Sequence, residues 1–176
     1  HEPIPGADAS LAHVLTPEQV FEGKKAIGKR VMIINYDPYY TAPSLAEKFA
    51  RAGHEVTVAT VCGLGAYMEY TLEGANMQRL IHELGIKVLG ETGCSRVENG
   101  RVELFNIWGE GYKRSYKGAG QLPRNENSSH EWHECDTVVL VTSRRSEDSL
   151  YRELKARKDE WAANGISNVF VIADAR

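Results

Sequence analysis

Val31-Met-Ile-Ile34, running into Asn35-Tyr-Asp-Pro-Tyr-Tyr-Thr-Ala42, is the stretch on which the fold turns. Four apolar residues in a row suit a strand buried on both faces, as in a parallel sheet. Pro43 then opens a helix that places Leu45, Ala46, Phe49 and Ala52 on one face, and Gly53 ends it. Working outward, Val56-Thr-Val-Ala59 reads as a second strand. A second helix covers 75–84 and stops at Gly85, and Ile86-Lys-Val-Leu89 reads as a third strand. Strand, helix, strand, helix, strand implies right-handed crossovers and a parallel sheet.

The rhythm breaks after residue 90. Segments 94–97, 102–108 and 113–116 read as short strands, with Asn99-Gly100 as a hairpin turn between the first two. Residues 118–130 are polar and read as a loop. Buried parallel character returns with Thr137-Val-Val-Leu-Val-Thr142. A helix over 147–164 follows, with Leu150, Leu154 and Trp161 inward, and then a strand at Val169-Phe-Val-Ile172. The expected fold class is α/β: a three-layer Rossmann-like domain with a parallel sheet and a small antiparallel β-meander. Residues 1–28 read as an extended linker with one short helix, in which Thr16 caps, Pro17 takes the first position and Glu18 sits at the positive end.

A strand entering a helix at this spacing is where a dinucleotide fold carries G-x-G-x-x-G. The glycines permit a tight turn and let backbone N–H groups approach pyrophosphate. The turn at 35–42 contains no glycine. Asp37 sets a carboxylate against the phosphates, and Tyr36, Tyr39 and Tyr40 fill their space. The second requirement also fails. Ala59-Thr-Val-Cys-Gly63 offers no acid for ribose hydroxyls and no arginine for a 2′-phosphate. The expectation is that NAD(P) does not bind.

Other chemistry is sparse. The 176 residues suit one domain, 42% hydrophobic and 26% charged. The formal charge of −3 gives no electrostatic reason for nucleic-acid binding. No apolar run approaches the roughly 20 residues of a membrane helix, so no membrane partner is expected. Cys62, Cys94 and Cys135 are odd in number and widely spaced, which points to thiols in a reducing cytoplasm. His130, His133 and Cys135 invite a metal reading, but strand alternation puts His130 on the face opposite the other two. Ser128-Ser129-His130 lacks the elbow of a hydrolase nucleophile. Lys113-Arg-Ser-Tyr-Lys117 with Arg124 reads as a solvated basic strand. No metal ligand and no catalytic residue is expected.

The words Leu15-Thr-Pro-Glu-Gln-Val20, Ile27-Gly-Lys-Arg-Val31, Ala42-Pro-Ser-Leu-Ala-Glu-Lys48, Ala52-Gly-His-Glu-Val-Thr57, Asn106-Ile-Trp-Gly109 and Leu154-Lys-Ala-Arg157 occur in this order. Together they resemble the trimethylamine dehydrogenase family, which includes dehydrogenases of dimethylamine and histamine. The resemblance implies the degenerate pyridine-nucleotide-like domain of that family's C-terminal, glutathione-reductase-like region. In these terms 1–28 is a linker from an outer nucleotide-binding domain, 29–168 is the degenerate NAD(P)-like Rossmann domain, and 169–176 is a truncated return strand to the outer ADP- or FAD-type domain. The resemblance also implies a parent with FMN, a 4Fe-4S cluster and ADP, an electron-transferring flavoprotein as partner, and a homodimer. This piece would bind no cofactor of its own and would be inactive alone. Asp174 is the one cofactor-contacting residue carried over, toward the outer domain's nucleotide, although Ala173 stands where the family has glycine. Two alternatives are a domain of an NAD(P)H-dependent flavin oxidoreductase such as a dienoyl-CoA reductase, and a free-standing interaction module.

Overall fold

The computed structural model describes residues 4–108, 129–142 and 148–172. The chain forms two compact units, 1–143 and 144–176.

Among the described residues the larger unit holds eight strands: β1 Val14–Leu15, β2 Arg30–Asn35, β3 Glu55–Thr60, β4 Lys87–Leu89, β5 Thr92–Glu98, β6 Arg101–Asn106, β7 His130–Glu134 and β8 Thr137–Val141. Its helices are α1 Pro17–Glu22, α2 Thr41–Arg51 and α3 Glu73–Glu83, with a short 3₁₀ helix at Ala66–Tyr70. A five-stranded sheet in the order β1-β8-β2-β3-β4 is parallel throughout, and β5-β6-β7 form a separate antiparallel sheet. The expected three-layer α/β architecture with a meander is therefore present.

Strand period places alternate residues in two cores. Val31, Ile33, Val56, Val58, Val139 and Val141 face the helices and meet Leu45, Ala46 and Phe49 of α2. Met32, Ile34, Val138 and Leu140 face the other way and meet Cys94, Val97, Val102 and Leu104 of the small sheet. Helices, parallel sheet and meander thus stack as three layers. Both faces of β2 and β8 are buried, which explains why those strands read as unbroken apolar runs.

The N-terminal segment, read as an extended linker with one short helix, packs on both sheets. Val14 and Leu15 pair with Val138 and Val139, adding β1 to the edge of the main sheet. Ile4 is buried in the second core, and Pro5 O accepts a hydrogen bond from Val97 N at 2.9 Å. The Lys25 ammonium donates to three carbonyl oxygens, of Ala9, Leu11 and Val14, and so fastens the segment. The short helix itself is as read. Thr16 and Gln19 form a capping box, Pro17 opens α1, and Gly23 ends it at φ 66°.

Among the described residues the third strand of the meander is His130–Glu134; the strand expected at 113–116 lies outside the described residues, as does Arg124. A segment as polar as His-Glu-Trp-His-Glu becomes a strand because β6 supplies a paired edge, with Val102 opposite His133 and Phe105 opposite His130.

Arg30 links the two sheets. Its backbone N–H donates to Asp136 Oδ2 at 2.8 Å, and its guanidinium donates to Asp136 Oδ1 at 2.7 Å and to Glu134. These bonds hold the Asp136 carboxyl down at about 2, below its ordinary 3.8. A carboxyl depressed on folding stabilises the fold above its unfolded value, and that contribution is lost as pH falls through the folded value. Denaturant titrations between pH 5 and pH 2 are therefore expected to show stability falling less steeply in Asp136→Asn than in the parent protein. Equal slopes would remove Asp136 from the acid response. Gly28 lies alongside. A Cβ there would sit 2.4 Å from the Cβ of Asp136, so glycine is required for the two segments to meet.

The smaller unit contains α4 Ser149–Ala156 and two single-turn 3₁₀ helices, Lys158–Glu160 and Ala162–Asn164. The expected helix over 147–164 is thus broken near Arg157. Trp161 Nε1 donates to Leu154 O at 2.7 Å, folding the second part back on the first. Leu154 and Trp161 are half-buried but Leu150 is 67% exposed, contrary to the inward reading. Residues 166–172 form no strand, and Phe170 and Ile172 are exposed. An apolar β-branched run realises its strand preference only against a partner strand, and this one has none among the described residues.

Candidate functional site

In open α/β sheets ligands settle at the carboxyl ends of the strands where the order reverses. Here that point lies between β2 and β8, since the chain runs from β2 to β3 and β4 on one side while β8 lies on the other. The first residue past β2 closes it. Tyr36 N donates to Val141 O at 2.8 Å, across the mouth of the crevice.

The following residues spend their backbone donors on one another. Asp37 N donates to Asn35 Oδ1 at 3.1 Å, and Tyr39 N donates to Asp37 Oδ1 at 2.9 Å. Pro38 has no N–H. A glycine loop aims such amides at pyrophosphate; here Asp37 and Tyr39 use theirs within the turn and Tyr36 gives its own to β8. The ribose position is closed in the same manner. Fully buried Asn35 donates from Nδ2 to Thr60 Oγ1 at 3.0 Å, and Thr60 Oγ1 donates to Cys62 O at 2.7 Å. Tyr36 and Tyr39 find partners beyond the turn. Tyr36 packs on the second core, where its hydroxyl accepts from Cys94 N at 3.2 Å. The Tyr39 ring meets Tyr67 edge to face at 5.0 Å, and Tyr67 N donates to Pro38 O. The sequence identified the obstructing residues, but not these partners, because Thr60, Tyr67 and Cys94 meet the turn only through the fold.

The other candidates separate cleanly. His133 shares a sheet face with Val102 and Leu104, while His130 shares the opposite face with Glu103 and Phe105. Among the described residues no group of three His, Cys, Asp or Glu side chains is disposed to hold a metal ion. Ser129 is exposed, and Ser128 lies outside the described residues. The serine that reaches His130 is Ser95, a contact no local motif announces. Ser95 Oγ lies 3.2 Å from His130 Nδ1 and donates to Glu103 Oε2 at 2.5 Å, while Glu103 Oε2 lies 3.4 Å from the same Nδ1. A nucleophile relay needs serine and acid on opposite ring nitrogens; both face one nitrogen here. The Ser95 hydrogen bond instead holds the Glu103 carboxyl below its ordinary value.

The three cysteines are free. Burial pushes the Cys94 thiol up to about 12 and Cys135 up to about 11, so both remain protonated and inert at neutral pH. Cys62 is only half-buried. Asp174 lies outside the described residues. No helix among the described residues is long and apolar enough to cross a membrane.

The chain is 93% identical over 175 residues to the dimethylamine dehydrogenase of Hyphomicrobium sp. (strain x), covering 99% of this chain and 24% of that protein. Histamine dehydrogenase from Rhizobium sp. 4-9 superposes with a TM-score of 0.77 at 28% identity, covering 99% of this chain and 24% of the other. The 6-hydroxypseudooxynicotine amine oxidase of Pseudomonas geniculata N1 superposes at 0.69 with 31% identity, covering 90% of this chain and 21% of that one. The chain therefore spans about a quarter of the length of the relatives it matches. Residues 15–142, from β1 to the end of β8, match the family described as the OYE-like second alpha/beta domain, and the chain belongs to that family.

Proposed function

We propose that this chain is a structural domain of a longer flavin-dependent amine dehydrogenase, with dimethylamine the foremost substrate, and that it turns over no nucleotide itself. The observation that carries the second part is that the Tyr36 amide is given to Val141 O of β8 and the Asp37 and Tyr39 amides are used within the turn. The 93% identity to a dimethylamine dehydrogenase supports the first part. FMN, a 4Fe-4S cluster and ADP belong to the other domains in this reading. Amine oxidation takes place there, and no residue of this chain acts as a catalyst. The residues at the β2–β8 corner do not fit a dinucleotide, so no step is routed through NAD(P). That misfit also tells against the dienoyl-CoA-reductase-like alternative. Electrons leave to an electron-transferring flavoprotein, the parent is a cytoplasmic homodimer, and Asp174 contacts the outer domain's nucleotide.

Two measurements test this. Titration calorimetry of the chain with NADH and with NADPH is expected to give no saturable heat. Micromolar binding that disappears when residues 35–42 are changed would overturn the reading of the turn. Anaerobic addition of dimethylamine to the full-length protein is expected to bleach its flavin absorbance, whereas NADH leaves it unchanged. The reverse pattern would make the parent a nicotinamide enzyme.

A further inference from the structure

The carboxyl end of the parallel sheet carries an aromatic face that nothing in the proposed function uses. Tyr39, Tyr40, Tyr67, Tyr70 and Leu72 are all large and exposed, Tyr70 at 90% and Leu72 at 96%. Tyr39 and Tyr67 touch, so the face is continuous at that point. Beside it runs a groove of about 190 Å³ between α2 and α3, which Tyr40 also lines. Its floor is apolar, with buried Pro43, Met68 and Ile81, and Met77 stands at its wall. Contiguous exposed apolar surface of this kind marks contact with another molecule or domain. Tyrosine and methionine are enriched where proteins bury surface against each other, and methionine adapts to what it receives.

The segments that carry this face bring acidic charge to it. Asp37, Glu69 and Glu73 lie along it, and Glu47 and Glu73 line the groove. Neither 31–47 nor 52–78 contains a lysine or arginine. Lys48 and Arg51 follow on α2, where Arg51 pairs with Glu47, and Arg79 on α3 pairs with Glu83. A complementary surface presents an apolar side chain flanked by lysine or arginine.

We propose that this aromatic face and the α2–α3 groove form the seat of another domain of the same longer polypeptide, one that inserts an apolar anchor with a basic rim. The inference rests on the reading of this chain as one domain of such a protein. It draws its occupant from the three quarters of the matched dehydrogenase that this chain does not span. It also gives the tyrosines of the degenerate turn a use: the corner that receives a dinucleotide in related folds receives protein here.

Hydroxyl-radical footprinting of the full-length protein tests this. Tyr39, Tyr67 and Tyr70 are expected to label several-fold more slowly than in the same protein denatured. The double variant Glu69→Lys, Glu73→Lys is expected to restore most of that labelling, while buried Phe49 stays slow and so reports an intact fold. The milder Glu69→Gln, Glu73→Gln serves if the charge reversal fails to fold, with a smaller change in the same direction. Tyrosines that label at the denatured rate in the folded protein would overturn the proposal. So would protection that vanishes on dilution, which would make the occupant a second copy. Protection indifferent to both pairs of substitutions would overturn the basic complement. Should the protein prove to be a polypeptide of only this length on a denaturing gel, the underlying reading fails as well, and the two failures are thereby told apart.

Discussion

Replacing Ile33 by alanine is expected to cost about 2–5 kcal/mol, the usual range for truncating a fully buried aliphatic side chain. Ile33 lies on β2, has no exposed surface, and has β3 on one side and β8 on the other, opposite Val58 and Val139. It faces the helical layer with Leu45 and Phe49 in the same core. A backbone paired on both sides does not move in to fill the space, so the cavity persists and adds to the lost transfer energy. Urea titration followed by far-ultraviolet circular dichroism measures the effect. The midpoint should fall while the slope stays unchanged. A cost below about 1 kcal/mol would mean that the helical layer collapses onto the gap and is packed more loosely than the geometry indicates.

The second large effect is expected at Gly6. Its φ of 79° lies in the left-handed region, and a Cβ there would stand 1.9 Å from the carbonyl oxygen of Val97. The left-handed conformation costs a non-glycine residue about 1–2 kcal/mol, and a backbone oxygen has no rotamer by which to escape. The segment is therefore expected to detach rather than endure the clash. Detachment breaks the Val97 N to Pro5 O bond and draws Ile4 out of the second core. Re-exposing one such side chain costs about 1.5–3 kcal/mol. With the lost hydrogen bond added, Gly6→Ala should therefore destabilise by about 2–4 kcal/mol, with Val97 the amide that gains exchange most. Hydrogen exchange read residue by residue checks this. An unchanged Val97 amide would show that the turn relaxes in place.

These two positions also show what a sequence discloses. Ile33 was legible at once, because a strand buried on both faces writes an unbroken apolar run and needs no partner to be recognised. The same holds for β3 and β8, for α2, and for the Asn99-Gly100 turn between β5 and β6. The obstructing turn at 35–42 was legible too, since the absence of glycine is a local fact. Gly6 was not legible. Its need for glycine comes from Val97, ninety-one positions away. β1 went unread for a related reason: two residues make no period, and Val14-Leu15 becomes a strand only because β8 offers an edge. β7 is the converse, a polar sequence made a strand by β6. At 169–172 an apolar run suggests a strand, and with no neighbouring strand among the described residues these residues form none. Local pattern thus announces the elements that bury both faces, and pairing decides the rest.

The strand order has a consequence in time. β2 is flanked by β3, which follows it closely, and by β8, which does not exist until residues 137–141 have been made. At bacterial and eukaryotic elongation speeds of roughly 5–20 residues per second, one edge of β2 stays bare for roughly 5–20 s. β1 waits longer still, since Val14 emerges early and pairs with Val138. During that interval the nascent chain holds β2, β3 and their helix with an apolar edge that any passing strand could occupy. Synthesis of the stretch between β4 and β8 therefore sets a vulnerable window, and slowing translation there should favour chaperone capture of the growing polypeptide.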